Sequence, residues 1–165
     1  MKQTTKIQQR FADADSLGHI NNIHLQEYFD LGKMELYADI LGDRIDWRGV
    51  NLVLVSIKTD MMRQTRLGDN IEVESWVESL GTKSMQVHQR LINVDDGLPN
   101  AECHTVVVCF DFATQRAIPF PDEWRRLIEL RQMRVSECRG CSQTMPSGSI
   151  LEQPKAGQLK VEKFF

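Results

Sequence analysis

The sequence predicts an α+β fold in which an antiparallel sheet surrounds one long helix. A stripe of apolar residues at helical spacing runs from Asn22 to Leu41. Residues 70–80 and 84–94 instead alternate between apolar and polar side chains, which is typical of strands. Because only short turns separate the last three predicted strands, these strands are expected to pair antiparallel.

The first elements are a strand over residues 4–10 and the long helix. Asn21 or Asn22 is a suitable N-cap for this helix, and Gly42 is a suitable C-terminal stop. The helix would be about 30 Å long at 1.5 Å per residue. Gly32 in its interior costs about 1 kcal/mol relative to alanine, which indicates a close approach to another backbone.

The remaining elements follow the helix. Residues 51–62 are rich in Val, Leu and Ile, and the two alternating strands come next. Residues 103–112 are almost continuously apolar, which indicates a central strand. Pro121 suits the first turn of a second, smaller helix.

The helical spacing of apolar residues in the second helix ends after Met133. We therefore expect one domain over residues 1–134 and a partly flexible extension over residues 135–165, which is rich in Ser, Gly, Pro and Gln. Residues 159–165 are apolar enough to add a strand to a sheet edge.

Composition and charge limit the function classes. The chain has 165 residues, 26% charged and 41% hydrophobic, which is ordinary for a globular protein. A net charge of -3 argues against a nucleic-acid binder. The N-terminus lacks the apolar core of a signal peptide, and no segment is long enough to insert into a membrane. These observations predict a cytoplasmic protein with reduced cysteines.

The loop before the long helix carries the most informative pattern. Residues 10–22 read RFADADSLGHINN, so that Asp15 and Gly18 directly precede the helix. A helix N-terminus offers unpaired N–H groups that stabilise a developing oxyanion, and a carboxylate can attack a carbonyl or activate water. Aspartate is also a common turn residue, and Asp13 could share that structural work.

This loop resembles the signature of the hot-dog fold acyl-CoA thioesterases, in particular their 4-hydroxybenzoyl-CoA thioesterase-like branch. The similarity continues in Leu67-Gly68-Asp69 and in residues 80–84, and it covers residues 4–132. The chain has Gly32-Lys33 where many relatives have an Ala-Arg pair, which keeps the positive charge at this position.

The resemblance implies a curved antiparallel sheet wrapped around the long helix. It also implies a homodimer, or a dimer of dimers, with a continuous sheet and active sites at the dimer interface. The substrate would be an acyl-CoA thioester, and no metal or other cofactor would be used. The family's catalytic carboxylate falls on Asp15.

Four further residues are candidates for substrate binding. Gly18 permits a positive φ or a close ligand approach. His19 either holds the loop or positions the thioester, and Asn22 is a helix cap rather than a reactive group. Lys83 lies at a turn that a phosphate could approach. Other basic residues that could contact phosphates, although each is more typical of solvated surface, are Lys58, Arg63, Arg66 and Arg90.

The remaining histidines and the cysteines have structural interpretations. His24, His88 and His104 are expected to be satisfied structural histidines. The cysteine pair Cys138-x-x-Cys141 lacks the second ligand pair that a zinc site needs, which favours two thiols in a flexible tail. Cys103 and Cys109 lie in an apolar strand and are predicted to be core residues.

The predicted reaction is hydrolysis of an acyl-CoA thioester to a free acid and CoA. Asp15 would act either as a nucleophile, forming a mixed anhydride, or as a general base toward water. A second hypothesis is a non-catalytic acyl-CoA or acyl-carrier binding module on the same fold. A third hypothesis, a hydratase or dehydratase on this scaffold, is the least favoured of the three.

Overall fold

The computed structural model describes residues 2–45 and 49–139, with the side chains of residues 134–139 excepted. Two short 3-10 turns, Phe11–Asp13 and Gly42–Arg44, flank the first helix. The strands and helices are β1 (Gln3–Lys6), α1 (Asn22–Leu41), β2 (Val50–Met61), β3 (Ile71–Leu80), β4 (Ser84–Asn93), β5 (Pro99–Asp111), β6 (Arg116–Ala117) and α2 (Asp122–Arg139).

The sheet is antiparallel, with the strand order β1-β3-β4-β5-β2 and with β6 paired to β5. The predicted meander of the last three long strands is therefore confirmed, and β5 has a partner on each side, as a central strand should. Helix α1 packs on the inner face of the sheet, where Phe29 belongs to a core cluster with Val73 and Leu91. A second cluster joins Leu36 of α1 to Trp124 of α2.

Helix α1 has the predicted bounds. The Asn21 side chain accepts a hydrogen bond from the backbone N–H of Ile23 at 3.0 Å, so Asn21 is the N-cap and Asn22 is the first helical residue. At the other end Gly42 has φ +56°, a conformation that glycine adopts easily. The helix lacks a charged residue that would complement its dipole at either end, so the cap and the packing define it.

Gly32 marks the place where α1 approaches the sheet most closely. A Cβ atom at this position would lie 2.5 Å from Val73 Cγ1 and 3.0 Å from Ser75 Oγ. The predicted close approach is confirmed, but the neighbours are side chains of β3 and not a backbone.

Gly32→Ala is therefore expected to lower the free energy of unfolding by about 1–3 kcal/mol, the usual cost of overpacking a core. Helix propensity alone would instead raise the free energy of unfolding by about 1 kcal/mol, because alanine favours the helix more than glycine does. Urea unfolding of the two proteins at equal concentration measures the difference. A more stable alanine variant would contradict the close packing of α1 on β3.

Three predicted bounds differ from the structure by more than one residue. β5 begins at Pro99 and not at residue 103, because residues 99, 101 and 102 also pair with β4 or β2. β1 ends at Lys6 and not at residue 10, because β3 begins at Ile71 and offers Ile7 only one further hydrogen bond, from Ile7 N to Ile71 O at 3.2 Å. Helix α2 continues past its predicted end at Met133 to Arg139, since no glycine or proline interrupts the sequence before residue 140.

The division at residue 134 thus falls inside α2, and the separate C-terminal extension stays a prediction. The strand expected over residues 159–165 and the thiol of Cys141 lie outside the described residues. No helix in the described part of the chain is long and apolar enough to cross a membrane.

Candidate active site

The loop before α1 folds back onto the start of that helix. Ala14 forms a bridge with Ile20, and the carbonyl oxygen of Asp13 accepts the N–H of Asn21 at 2.9 Å. Gly18 has φ +76° with open space around it, so backbone conformation explains the glycine here. Residues 15–19 therefore form a closed loop at the N-terminus of α1.

Asp15 fixes this loop with one carboxylate oxygen. Its Oδ1 accepts the backbone N–H groups of Leu17 at 2.9 Å and of His19 at 3.0 Å, which is the local bonding that a short aspartate side chain favours. Its Oδ2 accepts no hydrogen bond from any described residue, and the side chain is exposed. One oxygen thus sets the orientation of the carboxylate while the other is available.

Asp13, the second aspartate of the loop, has a different environment. It is fully buried, and it accepts hydrogen bonds from Tyr28 Oη at 2.6 Å and from Arg10 N and Nε at 2.9 Å. Burial alone would raise the pKa of Asp13, but the hydrogen bonds from Tyr28 and Arg10 outweigh it and hold the pKa below its usual value. Asp13 is a structural anion, which leaves Asp15 as the reactive candidate.

The first turn of α1 supplies hydrogen-bond donors. Asn21 satisfies the N–H of Ile23, but the N–H groups of Asn22 and His24 have no acceptor among the described residues. Unpaired N–H groups at a helix start carry a partial positive charge and bind anionic oxygen. They are candidate oxyanion donors.

An open cleft begins at the same turn. It has a volume of about 480 Å³ and lies between α1 and the end of β2. Thr59 Oγ1 donates to Gln26 Oε1 at 3.0 Å across it. Asp15 does not line the cleft in the single chain. The lining residues are Asn22, Ile23, Gln26, Glu27, Asp30, Thr59 and Met61.

Comparison with known proteins decides the family. The family model of the thioesterase-like superfamily matches residues 9–128. The chain belongs to this superfamily. It is also 25% identical, over 128 residues, to the long-chain acyl-CoA thioesterase FadM of Escherichia coli, an alignment that covers 76% of this chain and 96% of that protein.

Solved structures of thioesterases share the fold. A predicted thioesterase from Bacillus stearothermophilus superposes with a TM-score of 0.72 at 25% identity, over 79% of this chain and 96% of that one. A thioesterase from Thermus thermophilus, complexed with coenzyme A and Zn, gives a TM-score of 0.70 at 25% identity, over 79% of this chain and 94% of that one. The predicted hot-dog fold and the resemblance to hot-dog acyl-CoA thioesterases are confirmed, and the protein is a thioesterase.

The structure brings some of the predicted site residues of this thioesterase together and separates another. Asp15, Gly18, His19 and Asn22 lie in one loop and the adjoining helix turn. Lys83 follows the C-terminal end of β3, whereas the loop lies near the N-terminal end of that strand. β3 has ten residues, so it is about 33 Å long at 3.3 Å per residue. The Nζ of Lys83 donates to the carbonyl oxygen of Ala117 at 3.0 Å. Within one chain Lys83 does not reach Asp15.

Arg66 is the basic residue that lies beside the thioesterase loop. Its backbone forms a bridge with His19. Its exposed guanidinium makes no ion pair within the described chain. Three other basic candidates are neutralised by carboxylates, in the pairs Lys58–Asp60 at 2.8 Å, Arg63–Asp96 at 2.6 Å and Arg90–Glu102 at 2.6 Å. Sequence reasoning did not separate Arg66 from them, although its position directly before Leu67-Gly68-Asp69 is a signal.

The structural interpretation of the three histidines is confirmed for one of them. His24 Nδ1 lies 3.0 Å from Glu27 Oε2, within hydrogen-bond distance. His88 and His104 make no side-chain hydrogen bond among the described residues, and His88 Nε2 is buried without a partner. The prediction is wrong for His88, whereas the side chain of His104 is 40% exposed and the prediction for it is not tested. Cys103 and Cys109 are buried free thiols, as predicted, and burial raises the pKa of Cys109 to about 11.

Proposed function

We propose that this thioesterase hydrolyses acyl-CoA thioesters to a carboxylic acid and CoA, with Asp15 as the reacting carboxylate. The observation that carries the proposal is the free Oδ2 of Asp15 on a loop that closes at the start of α1, where N–H groups are unpaired. The similarity to FadM and to a CoA-bound thioesterase supports acyl-CoA as the substrate class.

The mechanism divides between the loop and the helix. The thioester carbonyl oxygen accepts the N–H groups of Asn22 and His24, which stabilise the negative charge that develops on it. Asp15 Oδ2 attacks the carbonyl carbon, and the C–S bond breaks to release CoA and leave a mixed anhydride that water hydrolyses. Alternatively Asp15 takes a proton from the water that attacks. Gly18 and His19 shape the loop, and Arg66 would contact a phosphate of CoA.

The exposed edge of the sheet supports a homodimer. β2 pairs with β5 on one side only, so the other edge of this twelve-residue strand presents unpaired N–H and C=O groups. Leu54, Val55 and Ile57 are exposed on it. A long apolar edge of this kind pairs readily with another strand. Two copies joined along β2 would form a continuous sheet and place a partner next to the cleft, with a dimer of dimers as a further possibility. In such a dimer, Lys83 of one copy would reach a substrate bound at the loop of the other copy.

Turnover of acyl-CoA esters tests the proposed reaction. Short, long and aromatic acyl-CoA esters are incubated with the protein, and free CoA is followed by chromatography, because a thiol dye would also react with the protein's cysteines. We expect hydrolysis of at least one ester class. Saturable binding of the esters without release of CoA would overturn the proposal in favour of a non-catalytic acyl-CoA or acyl-carrier binding module.

The Val55→Lys substitution tests the dimer. A lysine on an edge strand disfavours pairing of that edge, so the molar mass from light scattering is expected to fall from that of a dimer, or of a dimer of dimers, to that of a smaller species. Activity is expected to fall with it. Leu130→Lys, on the exposed side of α2, is the matched control and should change neither. A wild-type protein that is monomeric at micromolar concentration would contradict the β2 interface.

A further inference from the structure

The outer face of the sheet, opposite α1, carries a polar cluster that the proposed reaction does not use. His88 of β4 and His104 of β5 are direct cross-strand neighbours, and Glu78 of β3 lies beside both. One nitrogen or oxygen atom from each of the three lies within 4.8 Å of the other two. The side chains of His104 and Glu78 are 40% and 43% exposed, so a solute can reach the cluster.

The distances in this cluster are slightly longer than those between ligands of a shared ion. Glu78 Oε1 lies 3.8 Å from His88 Nδ1, and Oε2 lies 3.6 Å from His104 Nδ1. Both exceed a hydrogen bond, which is about 2.7–3.2 Å. Around a tetrahedral Zn²⁺ with bonds of about 2.0–2.2 Å, neighbouring ligand atoms are about 3.4 Å apart. The three side chains therefore need to move closer together by several tenths of an ångström or more to hold one ion.

His88 makes no side-chain hydrogen bond to a described residue that a metal ion would have to replace. It is 8% exposed, its ring makes no hydrogen bond within the described chain, and its Nε2 is buried and unpartnered. The rings of His88 and His104 stack with centroids 4.0 Å apart. A neutral imidazole with a free nitrogen is a common metal ligand.

A second carboxylate, that of Glu102, lies near the other ring nitrogen of His88. His88 Nε2 lies 3.8 Å from Glu102 Oε2, behind the side of the ring that faces Glu78. This distance exceeds a hydrogen bond, so Glu102 adds negative charge beside the His88 ring and does not hydrogen-bond to it. The neighbouring cations do not compete for Glu78, because Arg90 pairs with Glu102 and Lys2 pairs with Glu74, each at 2.6 Å.

We propose that Glu78, His88 and His104 bind a divalent transition-metal ion of the zinc type, with water as the fourth ligand. The ion would connect β3, β4 and β5 from the outer face and stabilise the sheet. The sequence predicts no metal because the three ligands lie on separate strands and match no spacing motif. The proposal is independent of the reaction assigned to Asp15, which belongs to the loop before α1.

Zinc binding to the full chain tests this site. The protein carries Cys138→Ser and Cys141→Ser, because two thiolates in one segment would bind zinc themselves. It is stripped with a chelator, and Zn²⁺ is titrated in competition with a chromophoric chelator. We expect about one Zn²⁺ per chain and a rise in the thermal unfolding midpoint when zinc is added. His104→Gln and Glu78→Gln are each expected to weaken binding at least about tenfold.

His24→Gln is the matched control, since it removes a histidine that belongs to the other side of the molecule and is paired with Glu27. Its zinc affinity should equal that of the parent. Absence of saturable zinc binding at micromolar concentration would overturn the proposal. Binding that survives in both His104→Gln and Glu78→Gln would also overturn it, because the metal would then lie elsewhere.

Discussion

The Asp15→Asn variant is expected to hydrolyse acyl-CoA esters with a kcat at least about a hundredfold below that of the wild type. Asparagine has the same size, and its Oδ1 can still accept the N–H groups of Leu17 and His19. The loop should therefore keep its shape. What is lost is the charge on the free oxygen, so the side chain can neither attack the thioester carbon nor take a proton from water. Initial rates from chromatographic measurement of CoA give kcat and KM separately.

Asp43→Asn is the matched control for this experiment. Asp43 is an exposed aspartate in the turn after α1, at the opposite end of the helix from the loop. Its substitution should leave both constants unchanged. If Asp15→Asn raised KM and left kcat intact, Asp15 would be a binding residue and the proposed mechanism would be wrong.

Helix α1 and the loop before it could be read from the sequence because their determinants are local. The apolar stripe, the Asn21 cap and Gly42 lie within the helix or next to it, and they set its bounds directly. The loop motif is likewise contiguous, and the structure places Asp15, Gly18, His19 and Asn22 together. Neither feature depends on how distant strands pair.

Several features that sequence reasoning missed depend on pairing across the sheet. The pairing of β2 with β5 leaves the other side of β2 as an apolar edge, and no pattern within residues 51–62 shows which side is free. Trp76 alternates with the glutamates of β3, so the pattern puts it on the polar face of the sheet. It is on that face but only 3% exposed, because Lys2 and the ring of His88 cover it. The same pairing assembles Glu78, His88 and His104.

Asp13 and Asp15 show most clearly what could not be predicted from the sequence. Both are suitable turn residues, and the sequence alone does not show which of the two has only a structural role. The difference comes from Tyr28, which lies fifteen residues after Asp13 and one helical turn past His24, and whose hydroxyl donates to Asp13 and not to Asp15. A side-chain contact of this kind depends on the angle at which the loop enters the helix, and that angle is set by tertiary packing.

Asp13→Asn is expected to lower the free energy of unfolding at neutral pH by about 1–3 kcal/mol. Three donors point at the two oxygens of the Asp13 carboxylate: Tyr28 Oη, Arg10 N and Arg10 Nε. An asparagine presents one oxygen and one amide nitrogen, so at least one donor would face another donor in a buried position. Urea unfolding at a fixed protein concentration measures the loss.

The stability difference between wild type and Asp13→Asn is also expected to depend on pH. The pKa of Asp13 in the folded protein lies below its usual value, so the folded state binds a proton less readily than the unfolded chain. The stabilisation by the Asp13 carboxylate is then complete above about pH 4, the usual pKa of aspartate, and is lost as the pH falls through the lower folded pKa. Below that point wild-type Asp13 is protonated and resembles asparagine. The difference should therefore narrow between pH 7 and pH 3, whereas a constant difference would show that the hydrogen bonds from Tyr28 and Arg10 do not favour the charged form.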